Sequence, residues 1–238
     1  MSEDLVRLIF TRINMTEFNL NAMEILNATY ATTPLFLFTR QCIDESFEFD
    51  DYYLEEFKED ELNPEDRKFI LSFFNTHSIF TKNDSKRMQD IQYFISLILT
   101  IEKGYFHRNN EVLKAFESHY TNDKLKNIVL PSLKKIMSFI FNLNLGNKSF
   151  WTSKVNMFTL IIELSKFDKF ENLDINKVKL TLLDMENKYN LFKKNKDRQD
   201  ISNEERKYFN NSLQGVNDKD IRKSRGDYLS LLLVDCLK

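Results

Sequence analysis

Few side chains in this 238-residue chain are typed and spaced for chemistry. No two of its three histidines, His77, His107 and His119, stand three or four residues apart, and none falls in an HExxH or ExxH arrangement. A helix needs that spacing to bring two ligands to one metal ion, so the histidines read as ordinary packing or surface groups. Cys42 (in TRQCIDE) and Cys236 (in LLVDCLK) carry no local mark of activation. They read as inert thiols of a reducing compartment, with a long-range disulfide as the alternative. Carboxylate–x–Lys triplets of the kind used by metal-dependent nucleases occur at Glu56-Phe57-Lys58, Asp66-Arg67-Lys68 and Glu186-Asn187-Lys188. A nuclease also needs an upstream acid on a rigid strand, so that two carboxylates converge on one ion. These triplets lie on helical patterns without that companion, and a chain that is 29% charged produces them cheaply. GxxxxGK[ST], GxGxxG and GxSxG are all absent. No catalytic residue, cofactor or metal is assigned from the sequence.

Charge supplies the second lead. Residues 1–119 carry 12 Lys/Arg against 21 Asp/Glu, a net of −9, and residues 120–238 carry 22 against 15, a net of +7. Twelve of the acids fall within Asp44–Asp66, where Lys58 is the sole base before Arg67. In the basic half, Lys193, Lys194, Lys196 and Arg198 form one cluster behind Lys188. Lys219, Arg222, Lys223 and Arg225 form another on a helical pattern. Lys193, Lys194, Lys196, Arg198, Arg222, Lys223 and Arg225 are therefore candidate phosphate contacts for a nucleic acid, with Tyr189, Phe192 and Tyr208 available for stacking. The plainer alternatives are a solvated basic face, or one paired with the acidic stretch inside the fold.

The elements that must position these groups are helices. With 42% hydrophobic residues the chain is too apolar to be disordered, and 4 Gly with 3 Pro leave too little turn chemistry for a sandwich or barrel. Leu5, Leu8, Ile9 and Ile13 share a helical face behind Ser2, and Met23, Leu26 and Tyr30 share another opened by Asn19 or Asn21. Thr33-Pro34 and Asn63-Pro64-Glu65-Asp66 place proline at a first helical position. A long helix is predicted from Asp84 to about Lys103, stopped by Gly104. Others are predicted near 110–120, 123–143, 152–167, 175–190, 203–213 and 218–237, with Pro131 kinking or breaking the second of these near Val129. The fold class is all-α: a compact multi-helix domain of nine to twelve helices with no substantial sheet. One domain over 1–238 is expected, with a weak boundary near 193–203. The apolar runs at Phe94–Ile101 and Tyr228–Val234 fall short of the ~18 residues of a membrane span. The acidic MSEDLVR start lacks the features of a signal peptide, so a cytoplasmic location is expected.

Three segments resemble a known family. LIFTRINMTEFNLNAMEILNA resembles the "IF.RIN-turn-Gly-Gly..LN..EIRNA" motif of the prokaryotic restriction family that includes the GmrS half of GmrSD type IV enzymes and the SspE defence nuclease. The match runs through Phe10, Arg12, Ile13, Asn14, Leu20, Asn21, Glu24, Ile25, Asn27 and Ala28. KRMQDIQYFISLIL is similar to that family's R-M-x-D-x-E helix through Arg87, Met88 and Asp90. Tyr208, Ser212, Arg222 and Arg225 are similar to a late aromatic, hydroxyl and basic pattern. Met15-Thr16-Glu17 stands in place of the family's Thr-Gly-Gly turn, Leu26 in place of its Arg, and Gln92 in place of its Glu. The family's ParB-like N-terminal domain, with its DGQQR-type motif linked to nucleotide hydrolysis, has no counterpart in these residues, nor does the HNH-type nuclease of some members.

The resemblance implies the helical region of such a protein, with Arg12, Asn14, Asn21, Glu24, Asn27, Arg87 and Asp90 as interface or family-motif residues. Physical chemistry alone accounts for the first segment equally well. An Arg12–Glu24 ion pair would staple a helical hairpin whose inner ends Asn14 and Asn21 cap. The leading expectation is a non-catalytic helical domain or subunit of a restriction or anti-phage defence module. It would dock a protein partner or the missing N-terminal domain, and also DNA, without engaging a membrane. The chain is expected not to be an enzyme on its own. A stand-alone nucleic-acid-binding module is the second expectation, and the metal-dependent nuclease the third.

Overall fold

A computed structural model describes residues 22–48, 61–106, 120–146, 148–167, 169, 172–196 and 198–238. The fold is all-α, as the composition predicts. Helices α1 (Ala22–Tyr30) and α2 (Pro34–Ile43) precede α3 (Pro64–Thr76), α4 (Lys82–Lys86) and α5 (Gln89–Lys103). A short turn at Asn122–Lys124 leads through a π-helical turn, Leu125–Val129, into α6 (Leu130–Leu143). Helices α7 (Lys154–Leu164), α8 (Ile175–Lys194), α9 (Asn203–Asn211) and α10 (Lys219–Val234) follow. The described residues include no strand, only an isolated antiparallel bridge between Leu173 and Leu237. The predicted helix over Leu5–Ile13 and that near 110–120, apart from Tyr120, lie outside the described residues, as do Asn19 and Asn21.

Local chemistry fixes most helix ends. Asn63 caps α3 by accepting the Glu65 N–H at 2.9 Å, ahead of Pro64 and the acidic first turn. Pro34 opens α2, but the Thr33 hydroxyl donates back to Tyr30 O at 2.8 Å rather than capping forward. Ser202 and Glu205 form a reciprocal capping box on α9. Gly104 ends α5 at φ 76°, a conformation that costs other residues more. Pro131 sits in the first turn of α6, and in place of the kink or break expected near Val129 the helix passes through a π turn that ends there.

One prediction needs correcting. Asp84 does not open a long helix to Lys103. Thr81 and Asp84 close a capping box on the short α4, and Met88, at φ 54°, turns the chain before α5 begins afresh at Gln89. A capping box at Thr81-x-x-Asp84 was legible in the sequence; a non-glycine residue in the left-handed region was not.

Buried side chains from Leu26 to Cys236 form one continuous core. Phe74 anchors its N-terminal part, meeting Phe73, Tyr93 and Phe94 edge to face with ring centroids 5.3, 6.3 and 5.9 Å apart. Phe150, Trp151, Tyr189, Tyr208 and Phe209 build a second aromatic cluster between α8 and α9. The fully buried Trp151 directs its indole N–H to Leu182 O at 2.8 Å. Such clusters combine large buried area with favourable ring geometry. Cys42 and Cys236 are both buried free thiols, and burial pushes the Cys42 thiol well up, away from reactivity.

Helix α10 approaches α7 closely at Gly226, where an added Cβ would overlap Glu163 Oε1 and the Tyr105 hydroxyl. Gly226→Ala therefore sets a gain of up to ~1 kcal/mol in helix propensity against overpacking of ~1–3 kcal/mol and disruption of the Tyr105–Glu163 hydrogen bond. A net loss of about 1–2 kcal/mol is expected, read as a lower urea midpoint at unchanged slope.

Candidate functional site

Helices α5 and α7 are apolar helices interrupted by polar positions at helical spacing, and the more polar α10 carries two arginines on the face that meets them. On α5 these are Gln92, Ser96 and Thr100; on α7 they are Asn156, Thr159 and Glu163. On α10 they are Arg222 and Arg225, one turn apart. Spacings of three and four residues put each set on a single face. The structure brings the three faces together.

On α5, the Ser96 hydroxyl donates to Gln92 O and the Thr100 hydroxyl to Ser96 O, both at 2.7 Å. That orientation leaves Thr100 Oγ1 to accept from Arg222 Nη2 at 3.1 Å. Arg222 Nη1 donates to Phe106 O at 3.2 Å, and its guanidinium lies 4.5 Å from the centre of the Phe158 ring. Arg225 donates from Nη1 to Asn211 O at 2.7 Å, from Nη2 to Val216 O at 3.3 Å and from Nε to Thr159 Oγ1 at 3.3 Å. Both side chains are buried, Arg222 at 4% and Arg225 at 1% exposure. Burial pulls the Arg225 guanidinium below its usual range, and the Tyr208 and Tyr105 phenols partly offset the shift. Its three partners are all neutral oxygens.

Around these arginines the remaining polar groups interlock. Buried Asn156 donates to Phe150 O at 2.9 Å and accepts from the Ser212 hydroxyl at 3.0 Å and the Tyr208 hydroxyl at 3.4 Å. Glu163 is fully buried, accepts from the Tyr105 hydroxyl at 2.8 Å and pairs with Lys166 at 2.6 Å. Burial raises its carboxyl pKa, against the opposing pull of Lys166 and Tyr105. A cavity of about 400 Å³ opens beside this seam, lined by Gln92, Ser96, Lys154, Phe158, Arg222 and Arg225 among others. Lys154 pairs with Asp84, and its backbone O accepts from the Tyr93 hydroxyl at 3.1 Å.

The residues singled out in the sequence have diverse places. Arg12, Asn14 and Asn21 lie outside the described residues, so the Arg12–Glu24 staple lies outside them too. Glu24 occupies the first turn of α1, and Asn27 has a buried Oδ1 with no hydrogen-bond partner. Arg87 is exposed at the end of α4, whereas Asp90 is buried in the first turn of α5 and accepts the Ile91 N–H at 2.8 Å. Lys193 and Lys194 close α8 in solvent beside exposed Lys196, and Arg198 forms a bidentate pair with Asp200.

Arg222 and Arg225 must be corrected as members of a basic surface. They point inward, because α10 lays that face on α5 and α7, and Lys223 is left exposed there without them. The acidic stretch does pair with the basic half, but through Lys134 to Asp66 and Lys126 Nζ to Glu61 O at 2.8 Å.

The carboxylate–x–Lys triplets also have structural work. Glu186 accepts from the Ser149 hydroxyl and the Phe150 N–H, and Lys188 bridges Asp184 and Glu205, each at 2.8 Å. His77 is buried against Phe73 and Phe141, with Nδ1 2.8 Å from Phe73 O. His107, His119 and Glu56–Lys58 lie outside the described residues. No group of three or more metal-ligating side chains occurs among the described residues. Asn156, Thr159 and Glu163 went unnoticed in the sequence, although a polar stripe inside NMFTLIIEL was a readable signal.

Comparison with protein-family models, curated proteins and solved structures finds no match to this chain.

Arg225→Met leaves Asn211 O, Val216 O and the Thr159 hydroxyl without their donor, and a loss of about 2–4 kcal/mol is expected in chemical denaturation. Glu163 provides a pH test. Its raised folded pKa means that the folded chain holds the proton more tightly than the unfolded one. Its contribution is therefore fully present below the ordinary value of 4.5 and fades as pH rises through the folded pKa. Asp44 and Asp84, both lowered, act oppositely and are common to wild type and variant. The stability of wild type relative to Glu163→Gln should rise as pH falls from about 7 to about 4.

Proposed function

We propose that this chain is a non-catalytic helical domain or subunit of a prokaryotic restriction or anti-phage defence module, docking a partner that carries the catalytic domain. The observation that carries the docking role is a set of exposed apolar side chains where α8 begins and α10 ends. Asp174 N–H donates to Cys236 O at 2.9 Å, and Lys177 Nζ to Leu237 O at 3.4 Å, which ties these two ends together. On these helices Leu180 is 66% exposed, Leu231 67% and Val234 49%, and Leu237 follows at 38%. Leu231 and Val234 share one face of α10 by spacing. Lone exposed leucines are ordinary, but several large apolar side chains left in solvent on two helices of a well-packed fold favour a protein contact.

The class of module rests on the resemblance. In this fold Tyr208, Ser212, Arg222 and Arg225 hold helices together, which suits a scaffold that presents surfaces. DNA contact is a second, narrower reading. Lys193, Lys194 and Lys196 support it as an exposed basic end of α8, without the two inward arginines. It implies binding that weakens steeply with salt and is lost when the three lysines are replaced.

Affinity capture of the tagged chain from its own host tests the docking reading. Wild type should retain a protein bearing the DGQQR-type motif or an HNH-type nuclease, and the Leu180→Glu/Leu231→Glu variant should release it. Hydrolysis of GTP or ATP by the purified chain alone would remove the non-catalytic part of the proposal.

A further inference from the structure

We infer that the cavity between α5, α7 and α10 is a binding site for a small molecule bearing an oxyanion, a phosphate or carboxylate group. The inference stands apart from the docking reading and rests on charge, geometry and volume. Arg225 is almost wholly buried, and its three hydrogen-bond partners are two carbonyls and a hydroxyl. These acceptors orient the guanidinium and satisfy three of its five N–H groups without cancelling its charge. Two further N–H groups remain, on a side chain that lines the cavity. Arg222 lines it as well, held in place by Thr100 Oγ1, Phe106 O and the Phe158 ring.

An excess cation in a low-dielectric setting is costly, and an anion that reaches it is attracted strongly. Guanidinium forks match the paired oxygens of phosphate and carboxylate in shape as well as charge. At the rim, Lys154 brings a third cation whose partner is Asp84. Gln92 and Ser96 supply polar groups, while Tyr93, Val155 and Phe158 supply apolar wall. That mixture, a few convergent polar groups in a partly apolar concavity, is how small-ligand sites are built. The volume of about 400 Å³ exceeds what a bare phosphate needs, so the anionic group would be one end of a larger molecule. The depth of Arg225, at 1% exposure, favours a small ligand over a duplex backbone.

The full chain should be titrated with inorganic phosphate and, separately, with citrate, each against sodium chloride of matched ionic strength. Heat of binding and thermal midpoint are both read. Phosphate and citrate stabilise many proteins through exclusion from the surface, so saturation and variant dependence decide the outcome. Wild type should show saturable binding to at least one, and the stronger of the two identifies the oxyanion class. Gln92→Glu nearly preserves shape but places a negative charge in the cavity, and should weaken binding about ten-fold or more. Arg225→Lys should weaken it as well, and Gln92→Glu keeps the test decisive if that variant does not fold. Lys135→Ala, on the exposed face of α6, should bind as wild type does. Absence of saturable binding to either anion, or equal binding by wild type and Gln92→Glu, would overturn the inference. The docking reading would survive that result, because its test uses a different surface and a different readout.

Discussion

The arrangement of α5, α7 and α10 follows from one constraint: two guanidinium groups, Arg222 and Arg225, enter the interior and must be satisfied there. Leaving a buried charge unpaired costs several kcal/mol, so the neighbouring helices have to present oxygen atoms at defined places. Thr100 on α5 and Thr159 on α7 do so through hydroxyls, and Phe106, Asn211 and Val216 through carbonyls at the ends of loops and helices. Five separate points of the chain are thereby tied to a single helix. The aromatic clusters supply most of the apolar burial, but they tolerate small slippages that hydrogen bonds to fixed oxygens do not. Gly226, between Arg225 and the Glu163–Tyr105 pair, lets α10 come close enough for these bonds to form.

The sequence revealed the fold class because helix signals are local. Asn63-Pro64, Ser202-x-x-Glu205 and the glycine after Lys103 are all readable without neighbours, and each appears where spacing places it. The break between α4 and α5 was not readable, since nothing in Met88 announces a left-handed residue and the competing cap at Thr81 governed the chain locally. The direction of the arginines was lost for a related reason. A cluster KDIRKSR reads as a basic face by composition, whereas tertiary packing sorts it residue by residue: Arg222 and Arg225 inward, Lys223 outward. Periodicity held the clue, because Arg222, Arg225 and Leu229 share a helical stripe, and Leu229 is buried.

The candidate sites were legible only in outline. The segments around Asp90 and from Tyr208 to Arg225, far apart in the chain and linked only by a family resemblance, flank one polar seam and its cavity. The scattered histidines, thiols and carboxylate–x–Lys triplets largely resolve, where described, into packing and capping roles. Two features of opposite character stand out instead: exposed leucines on α8 and α10, and a recessed cavity lined by arginines between α5, α7 and α10. The first suits a protein and the second a small anion.

The central claim is that Arg225 is an interior cation held by neutral oxygens at the wall of a cavity. Nitrogen-15 NMR of the arginine side chains tests it most directly. The account predicts that the Arg225 Nε–H exchanges with water far more slowly than those of exposed arginines such as Arg87, and that its resonance moves on addition of phosphate or citrate. Exchange as fast as that of an exposed arginine, with no response to either anion, would contradict the claim.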